Sequence, residues 1–156
     1  MNQLKAYHLI GAPGSGKSTW GKNFAEVNPQ MVRLCPDEFR AKFGKGEDDQ
    51  SVSAQAFSAT NRGMEDALKD GKSVIIDATN MYRKTRKQFL DIAKKYEAKT
   101  IAIVFEVDKN TLMTRNQKRG EEGGRNVPVD IIQRMLNRYE CPTIQEFDEV
   151  KFISKV

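Results

Sequence analysis

No apolar run in this chain of 156 residues approaches the ~20 residues that cross a bilayer. Met1–Ile10 lacks the layout of a secretory signal, so a cytoplasmic setting without a membrane partner is expected. The two cysteines, Cys35 and Cys141, form neither a disulfide framework nor a metal-ligand spacing. They are expected as buried or half-buried thiols. The single histidine, His8, lies inside an apolar run and points to a structural role. Repeats, long linkers and low-complexity tracts are absent, so residues 1–156 are expected as one domain. There is no acidic excess. A balance of 26 Lys and Arg against 21 Asp and Glu gives a net charge of +5, which suits a polyanionic partner without requiring one.

What the chain does have is Gly11–Thr19, read Gly-Ala-Pro-Gly-Ser-Gly-Lys-Ser-Thr. It matches G-x-x-x-x-G-K-[ST] at Gly11, Gly16, Lys17 and Ser18. Gly14 and Gly16 can adopt backbone conformations that turn successive N–H groups inward around phosphate oxygens. The helix that follows aims its positive end at the same point. Lys17 brings a point charge, and Ser18 brings a hydroxyl to Mg²⁺. Gly11, Pro13, Gly14, Ser15, Gly16, Lys17, Ser18 and Thr19 are the expected nucleotide contacts. A strand over Lys5–Ile10 and a helix over Lys17–Val27, with Trp20, Phe24 and Val27 on its apolar side, supply the context that a chance glycine turn would lack.

Met31–Cys35 reads as a short strand that Pro36 stops, and Pro36 opens a short helix. Asp37 and Arg40 then share a helical face at the strand's carboxyl end, where α/β sheets bind ligands. Gly44–Gln50 is a polar loop. Ser51–Asp70 keeps a helical apolar face through Ala56, Ala59, Met64, Ala67 and Leu68. Ser73–Asp77 is a buried strand that delivers Asp77 to the crevice as a Mg²⁺ carboxylate, with Thr79 and Asn80 at its tip. Arg83, Lys84, Arg86 and Lys87 crowd the start of the next helix against its dipole, which a bound phosphate backbone would reverse; a solvated basic face is the alternative. Thr100–Val107 is a clear strand. A helix capped by Asp108 or Asn110 follows. Residues 115–127 carry Arg115, Arg119 and three glycines, the pattern of an arginine-bearing lid. A helix opened by Pro128 and a last strand over Glu149–Ile153 complete a parallel sheet of about five strands with helices on both faces.

A guanine-reading Asn-Lys-x-Asp segment is absent, which argues against a GTPase switch. Phosphoryl transfer needs a phosphate cradle, Mg²⁺, a base for the acceptor hydroxyl and cations for the transition state. Gly11–Ser18, then Ser18 with Asp77, then Asp37, then Lys17 with Arg40, Arg115 and Arg119 fill these places. Gly-Ala-Pro-Gly-Ser-Gly-Lys-Ser-Thr-Trp, Asp37-Glu-Phe-Arg40, Asp77-Ala-Thr-Asn80 and Arg115-Asn-Gln-Lys-Arg119-Gly together resemble the kinase domain of the bacteriophage 5′-polynucleotide kinase family. The resemblance covers about Leu9 to Tyr139 in order and spacing. It implies ATP as donor and a 5′-hydroxyl end of DNA or RNA as acceptor. Asp37 would be the general base and Arg40 would lie on the acceptor side. Arg115 and Arg119 would meet the donor phosphates from the lid, and Thr79 would touch the acceptor's 3′-phosphate; Asn80 and Arg83 complete the expected acceptor contacts. One departure is that the phosphatase domain of that family, with its Asp-x-Asp-x-Thr nucleophile motif, has no counterpart in these residues, so a kinase without 3′-phosphatase activity is expected. Where that family has Asp directly before its Thr-Asn pair, this chain has Ala78, and Asp77 stands one position earlier. Asp77 can therefore hold Mg²⁺ or orient Arg40. The alternatives are a kinase for a nucleoside, nucleotide or sugar, and a nucleotide-gated nucleic-acid binding module.

Overall fold

The computed structural model describes residues 3–47, 49–124 and 126–154. In chain order the elements are β1 (Lys5–Ile10), α1 (Lys17–Val27), β2 (Val32–Leu34), α2 (Pro36–Phe43), a 3₁₀ turn (Gln50–Val52), α3 (Ser53–Lys69), β3 (Val74–Asp77), α4 (Arg83–Lys95), β4 (Lys99–Phe105), α5 (Lys109–Glu121), α6 (Val129–Arg138) and β5 (Glu149–Ile153). The sheet order is β2-β3-β1-β4-β5, and every pairing is parallel. The order reverses at β1, with β2 and β3 on one side and β4 and β5 on the other. Ligand crevices of open α/β sheets form outside the carboxyl ends at such a point.

The pleat decides which helices go where. Ala6 of β1 packs with Val74 and Ile76 of β3 under Met64, Ala67 and Leu68 of α3 and Phe89 and Ala93 of α4. Tyr7 and Leu9, pointing the other way, pack with Ile75, Ile101, Ile103 and Phe105 against Trp20 and Phe24 of α1. Both faces are therefore covered, and the central strands are apolar along most of their length. Val74, Ile75 and Ile76 are completely buried, each worth about 1.5–3 kcal/mol over exposure. His8 is also fully buried, edge-on to Phe147 at 5.2 Å, with burial and then the Arg86 charge lowering its pKa to about 3.

Several expectations are corrected at this level. Val27 is 75% exposed, because α1 has already left the sheet by its last residue. The second strand is only three residues long, as befits an edge strand. Thr60, not Ala59, is the buried residue of the middle of α3; its hydroxyl is satisfied by Ala56 O at 2.8 Å, so burial costs little. Cys35 is buried, with its thiol pushed up to about 12 by burial and then by the Asp77 charge, whereas Cys141 is exposed. Among the described residues no helix is long and apolar enough to cross a membrane.

Candidate active site

The segments that follow β1, β2 and β3, together with α5 and Met135 of α6, enclose a cleft of about 440 Å³. β1 runs into the phosphate-binding loop. Gly14 and Gly16 sit at φ 87° and 95°, a left-handed conformation that a side chain would strain. Gly16 caps α1, so the helix begins at Lys17 and points its positive end into the cleft. Pro13, Gly14, Gly16, Lys17, Ser18 and Thr19 all line it. Lys17 is 8% exposed and donates to Ala12 O at 3.2 Å.

Gly11 and Ser15, also expected as nucleotide contacts, face the opposite side of the loop. Both line a neighbouring apolar cavity instead. The Gly11 N–H is bound to Thr79 O at 3.0 Å and the Ser15 N–H to Ala12 O at 3.1 Å. A Cβ at Gly11 would meet Ser15 Oγ at 2.6 Å, so this glycine is dictated by close packing inside the loop.

β2 ends at Cys35, and Pro36 occupies the first helical position of α2. Asp37 and Arg40 lie on one face, hydrogen-bonded to each other, and both line the cleft. Arg40 is held further by Ser53 Oγ at 3.2 Å and lies 5.9 Å from the centroid of the Phe57 ring. It therefore stays in place although only 8% of it is exposed.

β3 ends at Asp77, which is 3% exposed and borders the cleft. Its partner is not Arg40. Asp77 Oδ2 accepts from Arg33 Nε at 2.9 Å and Nη2 at 2.6 Å. Arg33 was missed in the sequence, although an arginine between Val32 and Leu34 in an apolar strand is a signal that it is paired. Burial works against the Arg33 charge, but Asp77 and the bonds to Glu38 outweigh it and raise its pKa. Among the described residues Asp77 Oδ1 accepts no hydrogen bond. With the Ser18 hydroxyl it offers hard oxygen donors, the chemistry Mg²⁺ takes when phosphates and water complete its shell.

Thr79 lines the cleft, but Asn80 does not. Asn80 is fully buried at φ 50°, with Nδ2 donating to Leu9 O at 2.8 Å; it ties the turn to β1 instead of meeting a ligand. Arg83 is also outside the cleft. It lines a separate groove with Lys87, faces Glu140 at 3.9 Å, and its N–H donates to Glu140 Oε1 at 3.2 Å. Arg86 is completely buried, paired with both Glu146 oxygens at 2.8 and 2.9 Å and donating to Asn80 O. Glu140 and Glu146, from the segment before β5, thus answer Arg83 and Arg86, and Asp91 within α4 answers Lys87. Thr85 is the member of that first turn that reaches the cleft.

Arg115 and Arg119 both line the cleft from α5. Arg115 Nη1 donates to Gly14 O at 3.1 Å, joining this helix to the phosphate loop. Asp108 caps α5, and the helix continues to Glu121, so both arginines of the expected lid stand on a helix. Asn116 closes the return of the segment: its amide donates to Val127 O at 2.7 Å and accepts from Val127 N at 3.0 Å. Arg125 of the expected lid lies outside the described residues. Gln50, Phe57 and Met135 also line the cleft, and nothing in the sequence pattern marks them as part of it.

A model of the AAA domain family AAA_33 matches residues 7–142. L-seryl-tRNA(Sec) kinase of Methanococcus maripaludis is 30% identical over 138 residues, covering 86% of this chain and 52% of the relative. A chain in the structure of the Pnkp1/Rnl/Hen1 RNA repair complex superposes with a TM-score of 0.77 at 29% identity, over 88% of this chain and 44% of that one. A gluconokinase from Sinorhizobium meliloti 1021 shares the fold at 14% identity and a TM-score of 0.64, over 98% of this chain and 84% of its own. The chain spans about half the length of the seryl-tRNA kinase and less of the repair-complex chain.

Proposed function

The chain belongs to the AAA_33 family of AAA domains and has the fold of P-loop kinases, and we propose that it transfers the γ-phosphate of ATP to the 5′-hydroxyl end of a polynucleotide, DNA or RNA. The observation that carries the reading is the placement of Asp37 and Arg40 on one wall of the cleft, with the phosphate loop and the Arg115–Arg119 face on the others. Simple nucleotide binding needs neither the carboxylate nor the second set of cations. The likeness to a chain of an RNA repair complex and to a kinase of seryl-tRNA supports an acceptor hydroxyl attached to a polynucleotide.

In this reading Lys17 and the loop amides hold the β- and γ-phosphates. Asp37 accepts the proton of the acceptor hydroxyl as its oxygen bonds to the γ-phosphorus. The bond from that phosphorus to the β,γ-bridging oxygen breaks, and ADP leaves. Arg40 and Arg119 neutralise the charge that spreads over the transferring group. Ser18 and Asp77 would hold Mg²⁺, which lowers the cost of charge on the phosphate oxygens. Thr79 would meet the acceptor's backbone.

A small-molecule acceptor stands as the second reading, because Arg83 does not line the cleft and is engaged with Glu140. The test is a transfer assay with γ-labelled ATP and Mg²⁺. Acceptors are a 5′-hydroxyl oligonucleotide, its 5′-phosphorylated form, nucleosides, nucleoside monophosphates and gluconate. Label on the 5′-hydroxyl oligonucleotide alone is expected. Label only on monomers refutes the polynucleotide reading. Asp37→Asn is expected to lower transfer by about 10²–10⁴-fold with ATP affinity unchanged.

A further inference from the structure

Arg33 is built into the floor of this site without touching the cleft. Its register opposite Ile75 puts its side chain on the face that Ile75 and Asp77 share. Only 11% of that side chain is exposed. Nε and Nη2 both donate to one oxygen, Asp77 Oδ2, at 2.9 and 2.6 Å. Nη1 donates to both Glu38 oxygens at 2.9 Å. Gly21 of α1 leaves space over the arm: a Cβ there would come within 3.4 Å of Nε and 3.6 Å of Cδ. The guanidinium is clamped between two carboxylates and roofed by a helix.

Two consequences follow from that geometry. The Asp77 carboxylate cannot rotate without breaking two charge-assisted hydrogen bonds, so Oδ2 is committed and Oδ1 keeps one orientation. Glu38 is the chain neighbour of Asp37 in the first turn of α2, so the same guanidinium joins the tip of β3 to the turn that carries the base. We propose that Arg33 is a positioning residue for phosphoryl transfer: it reserves Asp77 Oδ1 for the divalent cation and, through Glu38, fixes Asp37 relative to it. This rests on the reading of the cleft as a phosphoryl-transfer site. Lysine is no equal substitute, because one ammonium cannot make the forked contact to both carboxylates.

The experiment separates the two arms. Mn²⁺ binding in the presence of a non-hydrolysable ATP analogue, with no acceptor, is measured by electron paramagnetic resonance. Arg33→Met is expected to raise the Mn²⁺ dissociation constant at least fivefold, with Arg33→Lys intermediate. Glu38→Gln is expected to leave Mn²⁺ affinity within twofold of wild type and to lower kcat for the 5′-hydroxyl oligonucleotide at least fivefold at constant KM for ATP. Wild-type Mn²⁺ affinity in a folded Arg33→Met protein overturns the proposal. If that variant does not fold, wild-type affinity in Arg33→Lys overturns it. Unchanged kcat in Glu38→Gln overturns the coupling to Asp37. The Mn²⁺ arm contains no acceptor, so it decides the role of Arg33 even if the oligonucleotide proves to be the wrong acceptor.

Discussion

Arg86→Met tests whether the basic opening of α4 is a ligand surface or a structural joint. Arg86 is fully buried and makes two bonds to Glu146 and one to Asn80 O. Breaking a buried ion pair by removing one partner costs about 3–5 kcal/mol, because a desolvated charge is left behind. Glu146 retains 14% side-chain exposure, so water recovers part of that loss and the low end, ~3 kcal/mol, is expected. In a domain of this size each kcal/mol moves Tm by about 2–4 °C, so the melt should fall by ~6–12 °C. Circular dichroism melts at neutral pH read this directly. The double variant Arg86→Met/Glu146→Leu should regain at least half the loss, because an apolar pair does not strand a charge. A Tm shift under ~2 °C in the single variant, combined with weakened oligonucleotide binding, refutes the argument and returns Arg86 to the acceptor surface.

His8 gives a pH prediction with a definite sign. Its pKa is about 3 in the native state, through burial first and the Arg86 charge second, against 6.5 when unfolded. Above pH 6.5 both states are neutral and the group is silent; as pH falls from 6.5 toward 3 the unfolded chain takes the proton that the native chain refuses, and stability is lost. Denaturant titrations near pH 5 should show a slope for wild type steeper than for His8→Leu by up to ~1.4 kcal/mol per pH unit; equal slopes would exclude the effect. Native protein should take one equivalent of iodoacetamide, at exposed Cys141, and a second at buried Cys35 only on unfolding, as mass spectrometry of the digested product will show. Asn116→Ala strands the buried Val127 N–H and should cost about 1–3 kcal/mol, measured by urea titration; a neutral change would mean that Asn116 does not hold the return of residues 126–127.

The phosphate loop could be read in the chain because its chemistry is local. Glycines at Gly14 and Gly16 are needed for a backbone conformation that depends only on the residues themselves, and the strand before and helix after follow from apolar spacing. The same holds for the Pro36 start of α2, which sets Asp37 and Arg40 on one face, and for the Asp108 cap of α5. The parallel sheet with helices on both faces followed from fully apolar strands alternating with amphipathic helices. AAA_33 membership and shared folds agree with that reading.

What only tertiary structure decided was partnership. Asp77 is visible in the sequence as a carboxylate at a strand end, but its partner Arg33 lies 44 positions away and meets it only because β2 is laid beside β3. Arg83, Arg86 and Lys87 look like one basic patch along the chain, yet Glu140, Glu146 and Asp91 divide them between an exposed pair, a buried joint and a surface pair. Asn80 and Thr79 are neighbours in sequence, and the turn sends one into the core and the other toward the cleft. Backbone conformation and apolar periodicity are properties of a short stretch and can be read from it. The sign of the field around a charge depends on groups brought close by folding, and a linear sequence does not contain that distance.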